Sequence, residues 1–544
     1  MVLGRLGVTK APIVSAAKAV PIAIWWLTAL HAVLLVGHAL VVAPLRGPDE
    51  VGHVSLILDI RDDHSFPNWN TAQLSGSVCA ARAIANPPSA FPFHEAEAAP
   101  AHSSRRGLDE LEPTLCDREN ANHIAQHPPL YYASMAAGSR ALDLLLPGDG
   151  LGSFSDELLA LRLLSALFVL PLPLLAWTTA RAVRAPPGVA LAAPLLLVGL
   201  AQLTSIGAGV NNDALVWLLG SLLIIVCLRI GVEGLHRRRT VAAGVLAGLA
   251  LLTKAVAFPF PVFVVAALTV APDASRTRRL QAGALAIGLA FLTGGWWWAS
   301  NLVRFGELVP SVDYGRFAEA PPGFTPSFGA FLSSFLWALR VSTWGAFGSF
   351  DKLLGDPFAS RASVVLALVL LAAFTSGRHH LGVHRRGWVV GAMLLPAMLL
   401  AVSVGVTSWR RYLSSGATPM QGRYLFSGAC AVAVVAALGL WCICGRRTYI
   451  TLLVAGLAGG YLQTRAFTTV LSAYWGSPPD DVNGQVDAWM SWVGFGRWIV
   501  PVWLVSLTIA VTLVVWSIVR AVRAGTPQSV REELVGPPPA PAVV

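Results

Sequence analysis

The first long apolar run of this chain leads into the stretch Arg46-Gly47-Pro48-Asp49-Glu50-Val51-Gly52-His53. The chain then stays too polar to cross a membrane until an apolar run that begins near residue 157. Carboxylates are costly beside hydrocarbon, so an acidic pair at the mouth of a membrane span tends to mark a functional position. The stretch therefore favours an enzyme that uses a lipid-linked substrate at the membrane surface.

The composition is that of an integral membrane protein. Of the 544 residues, 55% are hydrophobic and 12% are charged, with a mean hydropathy of +0.63, whereas soluble domains carry about 25% charged residues. The net charge of +10 is spread over short arginine clusters between apolar runs. Because this is the pattern of cytoplasmic loops, it argues against a nucleic-acid partner and for the membrane bilayer.

The apolar runs predict an all-α polytopic membrane protein with about twelve transmembrane helices, since several runs approach the length needed to cross a bilayer. The predicted spans are 22–43, 157–179, 188–207, 212–231, 240–253, 256–271, 280–299, 361–376, 388–407, 424–443, 448–464 and 497–519.

The arginine clusters fall in alternate connections, which predicts a multi-pass protein of the plasma membrane with both termini in the cytoplasm. We expect a cytoplasmic N-terminus at 1–21, a transmembrane domain at 22–519 and a disordered, proline-rich cytoplasmic tail at 520–544. The first span is too long for a secretory signal and has no small-residue cleavage site, so it is interpreted as an uncleaved anchor. The long extracytoplasmic loops are then a large first loop at 44–156 and two further loops at 300–360 and 465–496.

Two amphipathic segments of the first loop, Asp49–Asp62 and Pro128–Leu146, are predicted as helices that lie on the membrane or dock against the bundle. In the first, Asp49 and His53 are four residues apart and share a helix face, while Glu50 lies about 100° round the helix. Asp49 and Glu50 are candidate catalytic acids. The alternative is that Asp49 caps a helix N-terminus and Glu50 is favoured there by the helix dipole.

Cys79 and Cys116 are the two cysteines of the first loop, on the oxidising side of the membrane, and a disulfide between them is the natural pairing. Two separate thiols remain the alternative. The sequence contains no evident set of metal ligands, so a requirement for a divalent metal stays open and no metal-binding residue is predicted.

Several basic side chains are candidates for binding a lipid phosphate on the outer side. Lys254 lies at an outer turn between two spans, where it needs an anionic partner or must extend into water. Arg304 follows the aromatic belt at 296–298, and Arg423 lies at the outer mouth of the tenth span. Because a guanidinium keeps its charge and matches phosphate oxygens, Arg423 suits an anionic lipid. His127 begins the second amphipathic segment of the first loop.

The motifs of the chain, taken in order, resemble a bacterial membrane family catalogued as domain of unknown function 2142. That family is in turn similar to the glycosyltransferase C superfamily, which includes protein mannosyltransferases and lipid A aminoarabinose transferases. The resemblance covers residues from about 20 to 520 and rests on PDEVGH (48–53), HPPLYY (127–132), RLLS (162–165), NND (211–213), WWWASNLVRFG (296–306), TWGAFG (343–348) and QGRYLF (421–426).

The resemblance implies transfer of a sugar from a polyprenyl-phosphate carrier to a polysaccharide, lipid or protein acceptor outside the cytoplasm. Asp49 or Glu50 would be the base of a reaction of the inverting type. Cations at the outer face would bind the lipid phosphate, and His53 and His127 would orient the acids or the phosphate. Two other functions remain open at this point: a transporter or flippase of lipid-linked glycans, and a non-catalytic partner in envelope polysaccharide assembly.

Overall fold

The structure, a computed structural model, describes most of the chain. The described residues are 20–63, 65–85, 104–116, 121–145, 151–272, 274–310, 320, 322–383, 386–419, 422–475 and 482–524. The predicted N-terminal segment lies outside this range except for residues 20–21, and so does the predicted tail beyond residue 524.

The described residues are mostly α-helical. The α-helices are α1 (Ile22–Val41), α2 (Glu50–Asp63), α3 (Gly76–Ala85), α4 (Leu130–Leu145), α5 (Phe154–Val169), α6 (Leu172–Ala182), α7 (Pro187–Val198), α8 (Ala201–Gly207), α9 (Asp213–Glu233), α10 (Arg237–Leu251), α11 (Pro259–Thr269), α12 (Arg276–Ala290), α13 (Trp296–Phe305), α14 (Phe328–Trp344), α15 (Asp356–Thr375), α16 (Arg386–Ser415), α17 (Ala429–Ile443), α18 (Thr448–Trp475), α19 (Val482–Trp492) and α20 (Ile499–Ala524).

Shorter elements join these helices. Short 3-10 helices occupy Leu108–Glu110, His123–Gln126, Ala255–Ala257, Gly377–His380 and Gly422–Gly428, and a π-helical turn, Phe291–Gly295, joins α12 to α13. Strands β1 (Ala346–Phe347) and β2 (Lys352–Leu353) pair antiparallel in an outer hairpin.

Among the described residues, eight stretches are long and apolar enough to cross a membrane, so the prediction of an all-α polytopic membrane protein is confirmed. They are Ile22–Val41, Phe154–Ala182, Asp213–Glu233, Arg276–Phe305, Asp356–Thr375, Arg386–Ser415, Gly422–Ile443 and Ile499–Arg523. The bent pair α7–α8 is a ninth if it counts as one span.

The other three predicted spans lie in helices that are not long or apolar enough to qualify as membrane spans. They are 240–253, 256–271 and 448–464. Helices α10 and α11 have 15 and 11 residues and meet at a tight turn, which is less than the ~20 residues that cross a bilayer. Helix α18 is long, with 28 residues, but it carries Gln463 and Arg465 near its middle. The twelve predicted spans thus correspond to helices, while eight or nine qualify by length and composition.

The spanning helices pack into one bundle around a continuous apolar core. Helix α7 lies between α6, α17 and α18, and α1 packs along α20. The predicted helices of the first loop exist as α2 and α4, which pack against each other above the bundle. Cys79 and Cys116 are joined by a disulfide, as predicted, with their Cα atoms 4.7 Å apart.

A bend of 57° separates α7 from α8. The helix breaks at Gly199, where a methyl group would lie 2.5 Å from the Cα of Gly459 in α18. Gln463 of α18 donates to the carbonyl of Val198 at 2.7 Å, which satisfies a backbone group freed by the break. Beyond the bend, Gln202 in α8 bonds both the amide and the carbonyl of Ala346. The bend therefore fixes the outer hairpin over the bundle.

The three predicted outer loops meet at one end of the bundle. Ser349 of the outer hairpin donates to the carbonyl of Arg46, and the indoles of Trp475 and Trp489 donate to the carbonyls of Val41 and Leu40 at 2.8 Å. These contacts join the loop at 300–360 to the start of the loop at 44–156, and the loop at 465–496 to the end of α1 just before it.

Candidate functional site

The turn that carries the acidic pair is held in an unusual backbone conformation. Leu45 and Asp49 have φ of 59° and 56°, a left-handed conformation that is uncommon for residues other than glycine, although Asp tolerates it better than most. The amide of Gly47 donates to the carboxylate of Glu50 at 3.0 Å, and the amide of Glu50 donates to the carbonyl of Gly47. The turn therefore sends the two neighbouring carboxylates in different directions.

Glu50 points into the bundle, and both oxygens of its carboxylate accept hydrogen bonds. Arg162 of α5 binds it through two parallel bonds of 2.8 and 2.7 Å, and the amide of Val210 donates to it at 3.3 Å. The same guanidinium donates to the carbonyls at the end of α1, those of Ala39, Val42 and Ala43. Burial alone would raise the pKa of Glu50, but the charge and hydrogen bonds of Arg162, together with the amides of Gly47 and Val210, lower that pKa. These contacts make Glu50 a structural anchor.

Asp49 points the other way and remains accessible. Its side chain is 36% exposed, and its carboxylate lies 2.9 Å from Nη2 of Arg423 and 3.7 Å from Nε2 of His123. Its carbonyl accepts from the amide of His53, but its carboxylate contacts Arg423 and His123, so the alternative of a side-chain cap on α2 does not hold. Burial would raise its pKa, but His123 and Arg423 hold the pKa of Asp49 well below its usual range.

Arg423 connects Asp49 to a second, buried ion pair. Its Nε lies 3.2 Å from Oδ2 of Asp213, the first residue of α9, and Lys254 contacts the other oxygen of Asp213 at 2.8 Å. The side chains of Asp213 and Lys254 are 0% and 5% exposed, so Lys254 does not extend into water. The anionic partner expected for Lys254 is Asp213. Four separate segments of the chain thus form the row Asp49–Arg423–Asp213–Lys254.

Aromatic rings shield this row. The guanidinium of Arg423 lies over Phe350 and Tyr424, at 4.9 and 5.3 Å from the ring centroids, and the ammonium of Lys254 lies 4.7 Å from the centroid of Tyr424. The Nη1 atom of Arg423 is buried without a hydrogen-bond partner. Rings exclude water from cations and strengthen their attraction for an anion.

His53 lies beside this row and is locked by two neighbours. Its Nδ1 is 3.0 Å from the hydroxyl of Tyr132, which in turn accepts a bond from Asn212 at 3.1 Å. The hydroxyl and Nδ1 share one hydrogen bond, whose direction depends on the tautomer of His53. Burial, reinforced by the charges of Lys254 and Arg423, lowers the pKa of His53 well below its usual value, and only Asp49 opposes that shift. His53 is thus a neutral imidazole.

Of the two remaining residues that were predicted to bind substrate, His127 lies close to the row and Arg304 does not. His127 is half-buried close to the row, and burial together with the charges of Lys254 and His53 lowers its pKa well below the usual value. Arg304 is exposed and stacks on its neighbour Phe305 at 4.9 Å. The structure therefore brings His127 to the candidate site but leaves Arg304 outside it.

Sequence reasoning missed His123, and it did not assign roles to Asp213 or Arg162, although both lie in motifs that the resemblance uses. For Asp213 and Arg162 the sequence did offer a signal, which was their charge. Ionised side chains within apolar helices usually have a partner. His123 sits in a polar segment and carried no such signal. Within the part of the chain that the structure describes, no group of three or more His, Cys, Asp or Glu side chains could hold a metal ion.

Comparisons with known proteins give distant structural similarities. The ArnT of Cupriavidus metallidurans bound to undecaprenyl phosphate is 15% identical, with a TM-score of 0.43 over 91% of this chain and 77% of that chain. An oligosaccharyltransferase of Archaeoglobus fulgidus, in complex with zinc and sulfate, is 15% identical, with a TM-score of 0.38 over 85% of this chain and 55% of that chain. Both similarities are too weak to carry an argument about this chain.

The family comparison is more informative. No curated protein matches the chain, but the family described as "Predicted membrane protein (DUF2142)" matches residues 30–432. This range contains Asp49, Asp213, Lys254 and Arg423. Because the match covers most of the sequence, the chain belongs to this family of membrane proteins.

Proposed function

We propose that the protein is an integral-membrane glycosyltransferase that moves a sugar from a polyprenyl-phosphate carrier to an envelope acceptor on the extracytoplasmic side. The observation that carries this proposal is the contact between an accessible carboxylate, Asp49, and a ring-shielded cation, Arg423, at the outer end of an apolar bundle. A base next to a phosphate-binding cation is what transfer from a phosphate-linked donor requires.

The charges of the row suggest how a substrate phosphate would engage it. The two cations, Arg423 and Lys254, are balanced by the two carboxylates of Asp49 and Asp213. A phosphate that binds Nη1 and Nη2 of Arg423 competes with Asp49 for the guanidinium. Losing this partner raises the pKa of Asp49 toward a normal value and makes it a better proton acceptor. Donor binding would thus prepare the base.

In the reaction, the oxygen of the acceptor hydroxyl bonds to the anomeric carbon while the bond from that carbon to the phosphate oxygen breaks. The proton of the hydroxyl passes to Asp49, and the bonding electron pair leaves with the lipid phosphate. Arg423 and Lys254 stabilise the charge that develops on this phosphate. His53 hydrogen-bonds the sugar or phosphate through Nε2, and His127 is the further polar group beside it. We assign Asp49 and not Glu50 as the base, because Glu50 is buried and saturated by Arg162.

The orientation of the protein in the membrane belongs to the same proposal. The arginine clusters favour a cytoplasmic position for both termini in a bacterial cell, with the row Asp49–Arg423–Asp213–Lys254 on the outer face of the plasma membrane. Arg184 supports this assignment, because it is predicted to be cytoplasmic and its carbonyl accepts a bond from Gly382 of another predicted cytoplasmic loop.

The test is binding of undecaprenyl phosphate to the purified protein. Arg423→Ala should abolish measurable binding, whereas Arg423→Lys should weaken it less, because the charge is kept and the two-pronged geometry is lost. Arg304→Ala is the matched control, since this arginine is exposed and outside the row. Equal binding by wild type and Arg423→Ala would contradict the proposal.

A further inference from the structure

A long apolar groove lies on the other side of α7 from Arg423. It has a volume of about 1010 Å³ and is bordered by α1, α7, α18, α19 and α20. Helix α7 packs against both α17, which follows Arg423, and α18, which lines the groove. The described residues that line the groove do not include Arg423, Asp213 or Lys254, so the groove is separate from this phosphate-binding part of the row.

The dimensions of the groove match a lipid chain. Helix α18 lines it from Tyr449 to Leu471, which at 1.5 Å per residue is about 33 Å, close to the ~30 Å thickness of bilayer hydrocarbon. Glycines of α18 create the space: a methyl group at Gly460 would meet no atom within 4 Å, and one at Gly456 would only touch Leu195 at 3.9 Å.

His38 gives the groove a buried polar group of defined chemistry. Gln463 donates through its amide nitrogen to Val198 and Thr204, so its oxygen accepts from Nε2 of His38 at 3.0 Å. In the neutral ring, Nδ1 is then a bare acceptor. His38 is 2% exposed, and this Nδ1 has no partner. A hydroxyl donor satisfies such an atom, whereas a phosphate oxygen does not.

The charges around His38 also exclude an anionic head group. Among the described residues that line the groove, the charged side chain is Arg523, at the end of α20 far from His38. Helix α20 runs antiparallel to α1, because Trp503 near its start donates to Val33 of α1. Arg162 borders the neighbouring cavity but is used by Glu50 and three carbonyls.

That neighbouring cavity leads toward the candidate base. It is small, about 10 Å³ or roughly one water, and it extends from His38 to Gly47 and Pro48, the residues before Asp49. His38 lines both spaces. A molecule whose chain fills the groove thus has its hydrogen-bonding end beside a cavity that reaches Gly47 and Pro48, the residues before Asp49.

We propose that this groove binds the hydrocarbon part of a lipid acceptor, a neutral lipid whose free hydroxyl lies at His38. The inference rests on the proposed transferase function and names the class of its acceptor. In the bound lipid the hydroxyl donates to Nδ1 of His38. For transfer it must turn from His38 to Asp49, which accepts its proton while the hydroxyl oxygen bonds to the anomeric carbon and the phosphate of the donor leaves with the bonding electrons.

The experiment uses native mass spectrometry of the full chain in nanodiscs with three probes: a diacylglycerol, the same lipid with its hydroxyl acetylated, and undecaprenyl phosphate. Gly460→Leu fills the groove without a clash and should abolish diacylglycerol binding while leaving undecaprenyl phosphate bound. Gly456→Leu is the second filling variant. Gly288→Leu in α12, where a side chain also meets open space, should change neither lipid.

His38→Phe tests the head group. Wild type should prefer the diacylglycerol over its acetylated form by about fivefold to tenfold, the effect of one buried hydrogen bond, and His38→Phe should remove this preference. If Gly460→Leu loses undecaprenyl phosphate as well, the groove holds the carrier tail and the proposal is overturned. Unchanged diacylglycerol binding in both filling variants also overturns it. A third outcome separates this inference from the proposed function. If undecaprenyl phosphate does not bind wild type but the diacylglycerol results are as expected, the proposed function and the acceptor role are contradicted, and the lipid-binding site is supported.

Discussion

Replacing Arg162 by methionine tests whether Glu50 is a structural anchor. Arg162 makes five hydrogen bonds, two to Glu50 and three to carbonyls at the end of α1, and both side chains are almost fully buried, at 5% and 0% exposure. Removing one partner of a buried ion pair costs about 3–5 kcal/mol because the other charge is left unpaired. We therefore expect Arg162→Met to lower the free energy of unfolding by about that amount.

The assay is thermal unfolding of the purified protein in one detergent, with monodispersity as the check of the starting state. Adding Glu50→Met should recover part of the loss, because it removes the unpaired carboxylate, while the freed carbonyls of α1 stay unsatisfied. Arg304→Met is the control, since exposed positions usually change stability by less than about 0.5 kcal/mol. If Arg162→Met unfolds like Arg304→Met, the assignment of Glu50 as an anchor is refuted.

Three further predictions concern stability. Lys254→Met should cost about 3 kcal/mol, because it removes one of the two cations that contact the buried carboxylate of Asp213; an unchanged melting temperature would contradict the ion pair. Replacing both Cys79 and Cys116 by serine should cost about 4 kcal/mol, since the bridge closes a separation of 37 residues, and non-reducing peptide mapping should find the linked pair in wild type. Burial lowers the pKa of His127, so the unfolded chain binds more protons below about pH 6.5 and stability should fall from pH 7 to 5; His127→Gln should flatten that fall, and an unaltered slope would exclude the effect.

The all-α membrane class and the positions of the apolar helices could be predicted because apolar length is a local property of the sequence. The disulfide could be predicted because the first loop offered two cysteines on the oxidising side. The short helices α10 and α11 could not be separated from full spans, because their turn at Thr253 and Lys254 interrupts an apolar stretch without a proline or glycine. The buried contact between Lys254 and Asp213 lies at this turn.

The candidate site was harder to predict from the sequence than the fold. Asp49 and Glu50 are neighbours with the same chemistry, and what separates them is the backbone turn at Leu45 and Asp49, which sends one carboxylate to Arg162 and the other to Arg423. Arg423 lies 374 positions after Asp49. No local pattern encodes such a contact, and it follows only from the packing of the helices between them.

The most direct test of the account is the rate of transfer by Asp49→Asn compared with Glu50→Gln. Release of undecaprenyl phosphate from a sugar-linked donor in membranes provides an assay that does not depend on knowing the acceptor. Asp49→Asn keeps the shape of the side chain but removes the proton acceptor, so transfer should slow by about 10²–10⁴-fold while folded protein is recovered at the wild-type level. Glu50→Gln should mainly reduce stability. Full transfer by a folded Asp49→Asn protein would contradict the assignment of Asp49 as the base.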